Sequence, residues 1–425
     1  MQKHYFFFVY SAVDAPDRSY GEPTVTTNLM LVPDTSALTP ANLTDLAGYK
    51  SLETSLLPAA DFEKLVDPSD FCAYRNFSLS FSARPQSPAG AIITHRVSGE
   101  PREPQMDRIA KTGMYALIVS NCGNLTGFRI AGAVSVQNPH GYLRAPDYNK
   151  QALYASLAVF YAASLLIWAA LVARWRGQLN AIHTKMLWLS LFGVGECVAT
   201  YLLFRSWNKT DTVSDSYFLA GTGLSTLKIY MSFRGILLLP KWFSEDVCGS
   251  VKVDIALAIY AVADFNFRLL GRFRAGYGLE SKQLLIHAAP LFVMGAILFV
   301  WVFVALREGK AMFEKQQWQL NSSLVTKSSV IVAFAAVGAL GAFVAQLCDS
   351  SLADARRWGM HVVYSDCLPQ AVFALLLASA MVVWRPSEAM QEGRYKEQPQ
   401  DLESRPIGAA VDDDEAEATL PKPVE

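Results

Sequence analysis

The sequence predicts a membrane protein in which a lumenal antiparallel β-sandwich precedes an all-α bundle of seven transmembrane helices. Three observations carry this expectation. After residue 150 the 425-residue chain holds seven separate apolar runs, most of them near the ~20 residues needed to cross roughly 30 Å of hydrocarbon. Before residue 137, short β-branched and aromatic runs alternate with turn-rich segments, the pattern of a compact sandwich. Between the two lies a connector, 137–148, that contains Asn138-Pro139, Gly141 and Pro146. Such a segment turns the chain and stiffens it.

The expected domains are therefore 1–137 for the sandwich, 138–150 for the hinge, 151–385 for the bundle and 386–425 for a disordered, acidic cytosolic tail. Within the first region the strand-like runs are 24–32, 77–83, 91–97, 114–120 and 128–136. The extreme amino terminus has an apolar run at 5–13, which suits either a short signal-peptide core or a first β-strand. The hinge is expected to act as a fixed joint, because it has two prolines and the rings of His140 and Tyr142 where a flexible tether would be rich in Gly and Ser. Asn138, Pro139, Gly141 and Tyr142 are its candidate residues, and no helix is expected to begin until after Pro146.

Three sequons in the first region place Asn42, Asn76 and Asn124 as glycan acceptors, and Asn208 adds a fourth in the loop after the second span. Cys72 and Cys122 are the two cysteines before the first apolar run, and in an oxidising lumen they form the natural disulfide; in a reducing one they are two free thiols. None of the six cysteines forms a CxxC pair, which removes the metal-knuckle and thioredoxin readings. No metal and no cofactor is expected.

The spans fall at 153–173, 186–204, 217–239, 253–270, 284–306, 329–347 and 362–384. The fourth is the weakest, since Asp254, Asp264, Asn266 and Arg268 interrupt it and a centrally placed charge costs about 2.5–3.5 kcal/mol on insertion scales. Basic residues in the first and third inner connections, and Arg385 after the last span, favour a cytosolic side opposite the sandwich, although Arg272, Arg274 and Lys282 lie in an outer loop. The tail is solvated or carries an acidic sorting signal in residues 412–417.

Ionisable residues at membrane depth are candidates for function because they are costly to place there. Here they are Glu196, Lys228, Arg234, Asp254, Asp264 and Asp366, with His287, Gln346 and Gln370 as neutral polar company. They can line a polar cavity for a lipid, ion or client segment, or form buried pairs that set helix register. The histidines are dispersed, with no HxxxH or HExxH pair to hold a catalytic zinc, so no enzyme is expected. A formal net charge of −1 and the absence of basic-aromatic interleaving set nucleic acid aside as a partner.

Three sets of residues carry a resemblance to a known family. The first is Gly113-Met114-Tyr115, Asn121-Cys122 and Asn138-Pro139-His140-Gly141-Tyr142-Leu143 before the first span. The second is Leu191-Phe192-Gly193-Val194-Gly195-Glu196 in the second span, and the third is Asp366 and Trp384-Arg385-Pro386-Ser387 around the seventh. In order and placement these resemble the GOLD-domain seven-transmembrane (GOST) family, also described as lung seven-transmembrane or intimal-thickness-related receptors. The chain departs from the family at the end of span three, where Ile236 to Pro240 replaces a G-Y-G-x-x-x-P stretch. The resemblance implies a lumenal GOLD-like sandwich on a bundle with a lipid-accessible cavity, similar in its bundle to Wntless. It also implies residence in Golgi, endosomal or plasma membranes, with membrane lipid and a lumenal or lipidated protein client as partners. The function expected from it is membrane trafficking; the alternative is a cation channel or a receptor that signals to G proteins.

Overall fold

The computed structural model describes residues 2–9, 18–33, 52–58, 93–97, 104–121, 128–176, 181–237, 248–277, 281–315, 319–348 and 363–386. The amino-terminal part contains two antiparallel sheets. Strands β1 (Gln2–Val9), β3 (Leu52–Pro58), β4 (Ile93–Val97) and β6 (Gly113–Asn121) form one, in the order β1-β6-β3-β4. Strands β2 (Thr24–Pro33), β5 (Gln105–Arg108) and β7 (Phe128–Gln137) form the other, in the order β5-β2-β7. The sheets share a core, because Val25 of β2 packs in one cluster with Val9, Leu56 and Leu117 of the other sheet and with Ile109.

The apolar run near the amino terminus takes the strand alternative: β1 pairs with β6 from Gln2 opposite Ser120 to Val9 opposite Gly113. Strands β3 and β5 are additions to the sequence expectation. The first is central, paired with both β4 and β6, and buries Thr54 and Ser55. The run expected at 77–83 lies outside the described residues.

Seven long helices follow among the described residues: α1 (Ala145–Arg174), α2 (Ala181–Thr210), α3 (Asp215–Leu237), α4 (Cys248–Tyr277), α5 (Ser281–Lys315), α6 (Gln319–Cys348) and α7 (Leu368–Val383). A π-helical turn, Val363–Cys367, leads into α7. Helix α1 corrects the expected start: it begins at Ala145 and holds Pro146 in its first turn. The missing N–H of a proline costs nothing there, because first-turn amides have no intrahelical acceptor. Consecutive helices pack on one another, and α7 touches α1, α6 and the π turn.

The bundle carries its polarity inside and its apolar surface outside. Phe334 and Val382 are 75% and 76% exposed, whereas Glu196 and Lys228 are 3% exposed. Water favours the opposite arrangement, and a hydrocarbon solvent favours this one. Among the described residues, four helical segments are long and apolar enough to cross a membrane by composition: Asp147–Arg174, Ile182–Thr210, Ala289–Lys315 and Ser322–Gly341; Leu368–Val383 is shorter and also apolar. Helix α4 carries Asp254, Asp264 and Arg268 in its apolar stretch, and α3 is rich in Gly, Ser, Thr and Tyr around Lys228, so neither belongs to that group.

Candidate functional site

The site is organised around Glu196, and two glycines on its helix explain how it comes to be buried. A Cβ on Gly193 would stand 2.8 Å from the Tyr161 ring of α1, and one on Gly195 would stand 3.0 Å from a Leu224 methyl of α3. Small residues thus let α1 and α3 close on α2, the usual way helices approach in lipid. Enclosed between them, Glu196 forms an ion pair with Lys228 of α3. Gln370 of α7 bridges the pair: its Nε2 donates to Glu196 Oε1 at 3.0 Å, and its Oε1 accepts from Lys228 Nζ at 3.3 Å. The ammonium also lies 4.3 Å from the centre of the Phe373 ring and 5.6 Å from that of Tyr161. A buried cation over aromatic faces gains up to ~2 kcal/mol. The cluster is neutral overall and ties four helices together.

Three further acids are each joined to a base. Asp366, on the π turn, receives the Tyr154 hydroxyl at 2.8 Å and pairs with Lys150 at 2.9 Å; Lys150 also meets Asp147 at 2.9 Å. Asp264 accepts from Thr226 Oγ1 at 2.7 Å and from Arg268 Nε at 2.9 Å. Asp254 takes two hydrogen bonds from Arg234, at 2.6 and 3.2 Å, and one from Tyr230 at 3.3 Å. The charges that interrupt α4 are therefore the charges that attach it to α3. Of the predicted cavity residues, Glu196 and Lys228 come together, whereas Arg234, Asp264 and Asp366 each stand in a separate pair. The side chain of His287 lies outside the described residues.

The joint between sheets and bundle is built around Asn208, on the last turn of α2. Its Nδ2 donates to the His140 carbonyl at 2.7 Å, its Oδ1 accepts from the Leu143 amide at 3.0 Å, and its own carbonyl accepts from the Tyr142 amide at 3.0 Å. Asn138 and Gly141 exchange backbone hydrogen bonds at 2.7 and 3.0 Å, and Gly141 adopts φ of 127°. The Pro139 carbonyl accepts from the Tyr20 amide at 2.9 Å. His140 and Tyr148 rings lie 4.3 Å apart, and Asn138, His140 and Leu143 are almost fully buried. Ser135 Oγ of β7 donates to Asp211 beyond α2 at 2.5 Å. With its amide oxygen and one amide N–H engaged here, Asn208 serves as a structural tie. Asn42, Asn76, Asn124, Cys72 and Cys122 lie outside the described residues. Sequence reasoning missed Lys150 and Thr226; the signal for Lys150 was its position three residues after Asp147 in the first helical turns.

A second anchor closes the far end of the bundle. The Trp384 carbonyl meets His183 Nε2 at 3.1 Å, its Nε1 donates to Ser328 Oγ at 3.0 Å, and Trp168 Nε1 donates to the His183 carbonyl at 3.0 Å. Asp366 at one end of α7 and Trp384 at the other thus bind it to opposite ends of the bundle.

Paired antiparallel sheets locked to a helical bundle with apolar walls and internal ion pairs define a multi-pass membrane protein. The chain belongs to the GOST family: the family model described as the GOST seven transmembrane domain matches residues 149–391. It is similar to transmembrane protein 87A of Xenopus tropicalis, at 20% identity over 66% of this chain and 53% of that protein. It is also similar to membrane protein PTM1 of Saccharomyces cerevisiae strain YJM789, at 20% identity over 66% of this chain and 55% of that protein, and to mouse transmembrane protein 87B, at 20% identity over 66% and 51%. The chain thus spans about half the length of the curated relatives it matches.

Proposed function

We propose that the protein is a non-enzymatic trafficking factor of Golgi and endosomal membranes. In this reading all seven helices cross the bilayer, and the paired sheets form a GOLD-like sandwich on the lumenal side. The sandwich and the membrane-embedded bundle together hold a lumenal or lipidated client during transport. The distribution of charge supports the orientation: Arg174, Arg176, Lys185, Arg307, Lys310, Lys315, Lys327 and Arg385 all belong to the end of the bundle remote from the sheets, as a cytosolic side requires.

The observation that carries the reading is the rigid joint at Asn208, with the Lys150–Asp366 pair linking the first turns of α1 to the start of α7. Through it, a load on the sheets reaches α1, α2 and α7 directly. A cation channel is the competing reading. Glu196, Asp254, Asp264 and Asp366 are each paired with a base, so none of these four carboxylates stands free to exchange for water around a permeating cation. The deciding experiment follows secretory and lipidated cargo in cells without the protein and, in parallel, measures current across bilayers that contain it. Mis-sorted cargo restored by the wild-type chain, with no conductance, supports the proposal. Normal sorting together with a current lost in Glu196→Gln overturns it in favour of a channel.

A further inference from the structure

The outward face of the sheet β5-β2-β7 carries exposed apolar side chains close to the bundle. Residues directly opposite one another in an antiparallel pair point to the same face, so Ser135 of β7, Thr26 of β2 and Met106 of β5 share one face in a single row. Val25 and Thr27, on either side of Thr26, point the other way and are buried, Val25 in the core between the sheets. Ser135 gives the direction of the outward face. Its Oγ reaches Asp211, the residue immediately after the apolar segment Ile182–Thr210, so at this row the face looks toward the end of the bundle. Met106 stands two strands over, about 10 Å from the Ser135 strand. It is 65% exposed, so the bundle does not cover it. Further along the same face, Met30 and Val32 are also exposed.

We infer that this face rests on the bilayer surface beside the bundle, with Met106 inserted among the headgroups of the leaflet nearest the sheets. Two observations choose lipid as the occupant. The face is continuous with the joint at Asp211, and what surrounds the bundle at that level is bilayer, whose headgroup layer is roughly 5–8 Å thick. Aromatic side chains suited to that layer stand around the joint: Tyr20 lies edge-on to Tyr142 at 6.5 Å, Trp207 lies under the Arg144 guanidinium at 6.0 Å, and Tyr217 is exposed at the start of α3. The contact is apolar rather than ionic. Arg108, two residues along β5 on the same face, is paired with Glu22 at 3.0 Å, so a zwitterionic lipid suffices. The hydrogen bonds at Asn208 hold the sheets near β7, and Met106 supports them on the far strand, which keeps the sheets from rocking about the joint. The inference needs only that α2 crosses the bilayer, and it stands whether or not the protein carries cargo.

The test uses the full chain with its methionines replaced by a diazirine analogue of similar size, reconstituted in phosphatidylcholine vesicles so dilute that most hold one copy. On illumination the diazirine loses dinitrogen, and the carbene inserts into the nearest C–H or O–H bond. Adducts are then mapped by mass spectrometry. The peptide that carries residue 106 is expected to bear phosphatidylcholine in excess of water, whereas Met114, buried in the other sheet, should bear neither. Met106→Ser should lose the lipid adduct on that peptide. A melting temperature equal to that of the unsubstituted chain shows that the analogue preserves the fold. If it is lower, Met106→Cys carries a benzophenone maleimide at that site alone and is read in the same way. Water as the main adduct at residue 106 overturns the inference. So does a crosslink from that residue to a second copy of the chain or to another protein in place of lipid.

Discussion

Gly141 and Asn208 approach so closely that a Cβ on residue 141 would stand 2.5 Å from the Asn208 backbone oxygen and 2.5 Å from its side-chain oxygen. With φ at 127°, position 141 is closed to an L side chain on two counts, by backbone strain and by backbone contact. Gly141→Ala should therefore loosen the joint at a cost of about 1–3 kcal/mol. The measurement is thermal unfolding in detergent, and a melting temperature equal to wild type would contradict the geometry.

Asn208 has an expectation with two readouts. Glycan mass compared between wild type and Asn208→Gln shows whether the sequon is used in addition to the contacts with His140 and Leu143. The substitution should lower stability by about 1–3 kcal/mol, since the longer side chain leaves buried backbone groups unpaired. A mobility shift upon enzymatic deglycosylation that shrinks in this variant would show that Asn208 carries a glycan.

Glu196 and Lys228 should behave as one unit. Removing either charge alone leaves the other buried without a partner, which costs about 3–5 kcal/mol, whereas replacing both with apolar residues of similar size is often far less harmful. A double-mutant cycle with Glu196→Leu and Lys228→Leu is expected to give a strongly non-additive result. Additive losses would mean that the two side chains do not meet in the membrane.

Asp366→Asn keeps the shape but removes the charge that holds Lys150 and Tyr154. The expected loss is about 1.5–3 kcal/mol, the range for a hydrogen bond to a charged group. Tyr154→Phe should cost no more than Asp366→Asn, because it leaves the Lys150–Asp366 pair in place. The reverse order of the two variants would show that the hydroxyl, not the ion pair, holds the π turn.

How much of this was legible without coordinates differs from element to element. Strands β2, β6 and β7 were, because β-branched and aromatic residues alternate along them. Strand β3 was not: Glu53 and Pro58 are poor strand formers, and the segment is a strand because both β4 and β6 hydrogen-bond to it. The acids and bases of the bundle were visible as residue types, and the pairing of Glu196 with Lys228 was within reach. The Gln370 bridge was not, since it joins residues 174 positions apart.

The long apolar helices α1, α2, α5 and α6 follow from the sequence alone, because a run of about 20 apolar residues has to close its backbone hydrogen bonds within itself wherever it meets hydrocarbon. Tertiary structure alone decided what the polar residues do. Asn208 is a plain sequon on the chain and becomes the tie between sheets and bundle only when α2 returns to the hinge. The charges that weaken α4 as a span are what fasten it to α3. Apolarity is a local property, summed along the chain, whereas a charge in lipid is stable only opposite its partner, and which partner it meets depends on how distant helices are brought together.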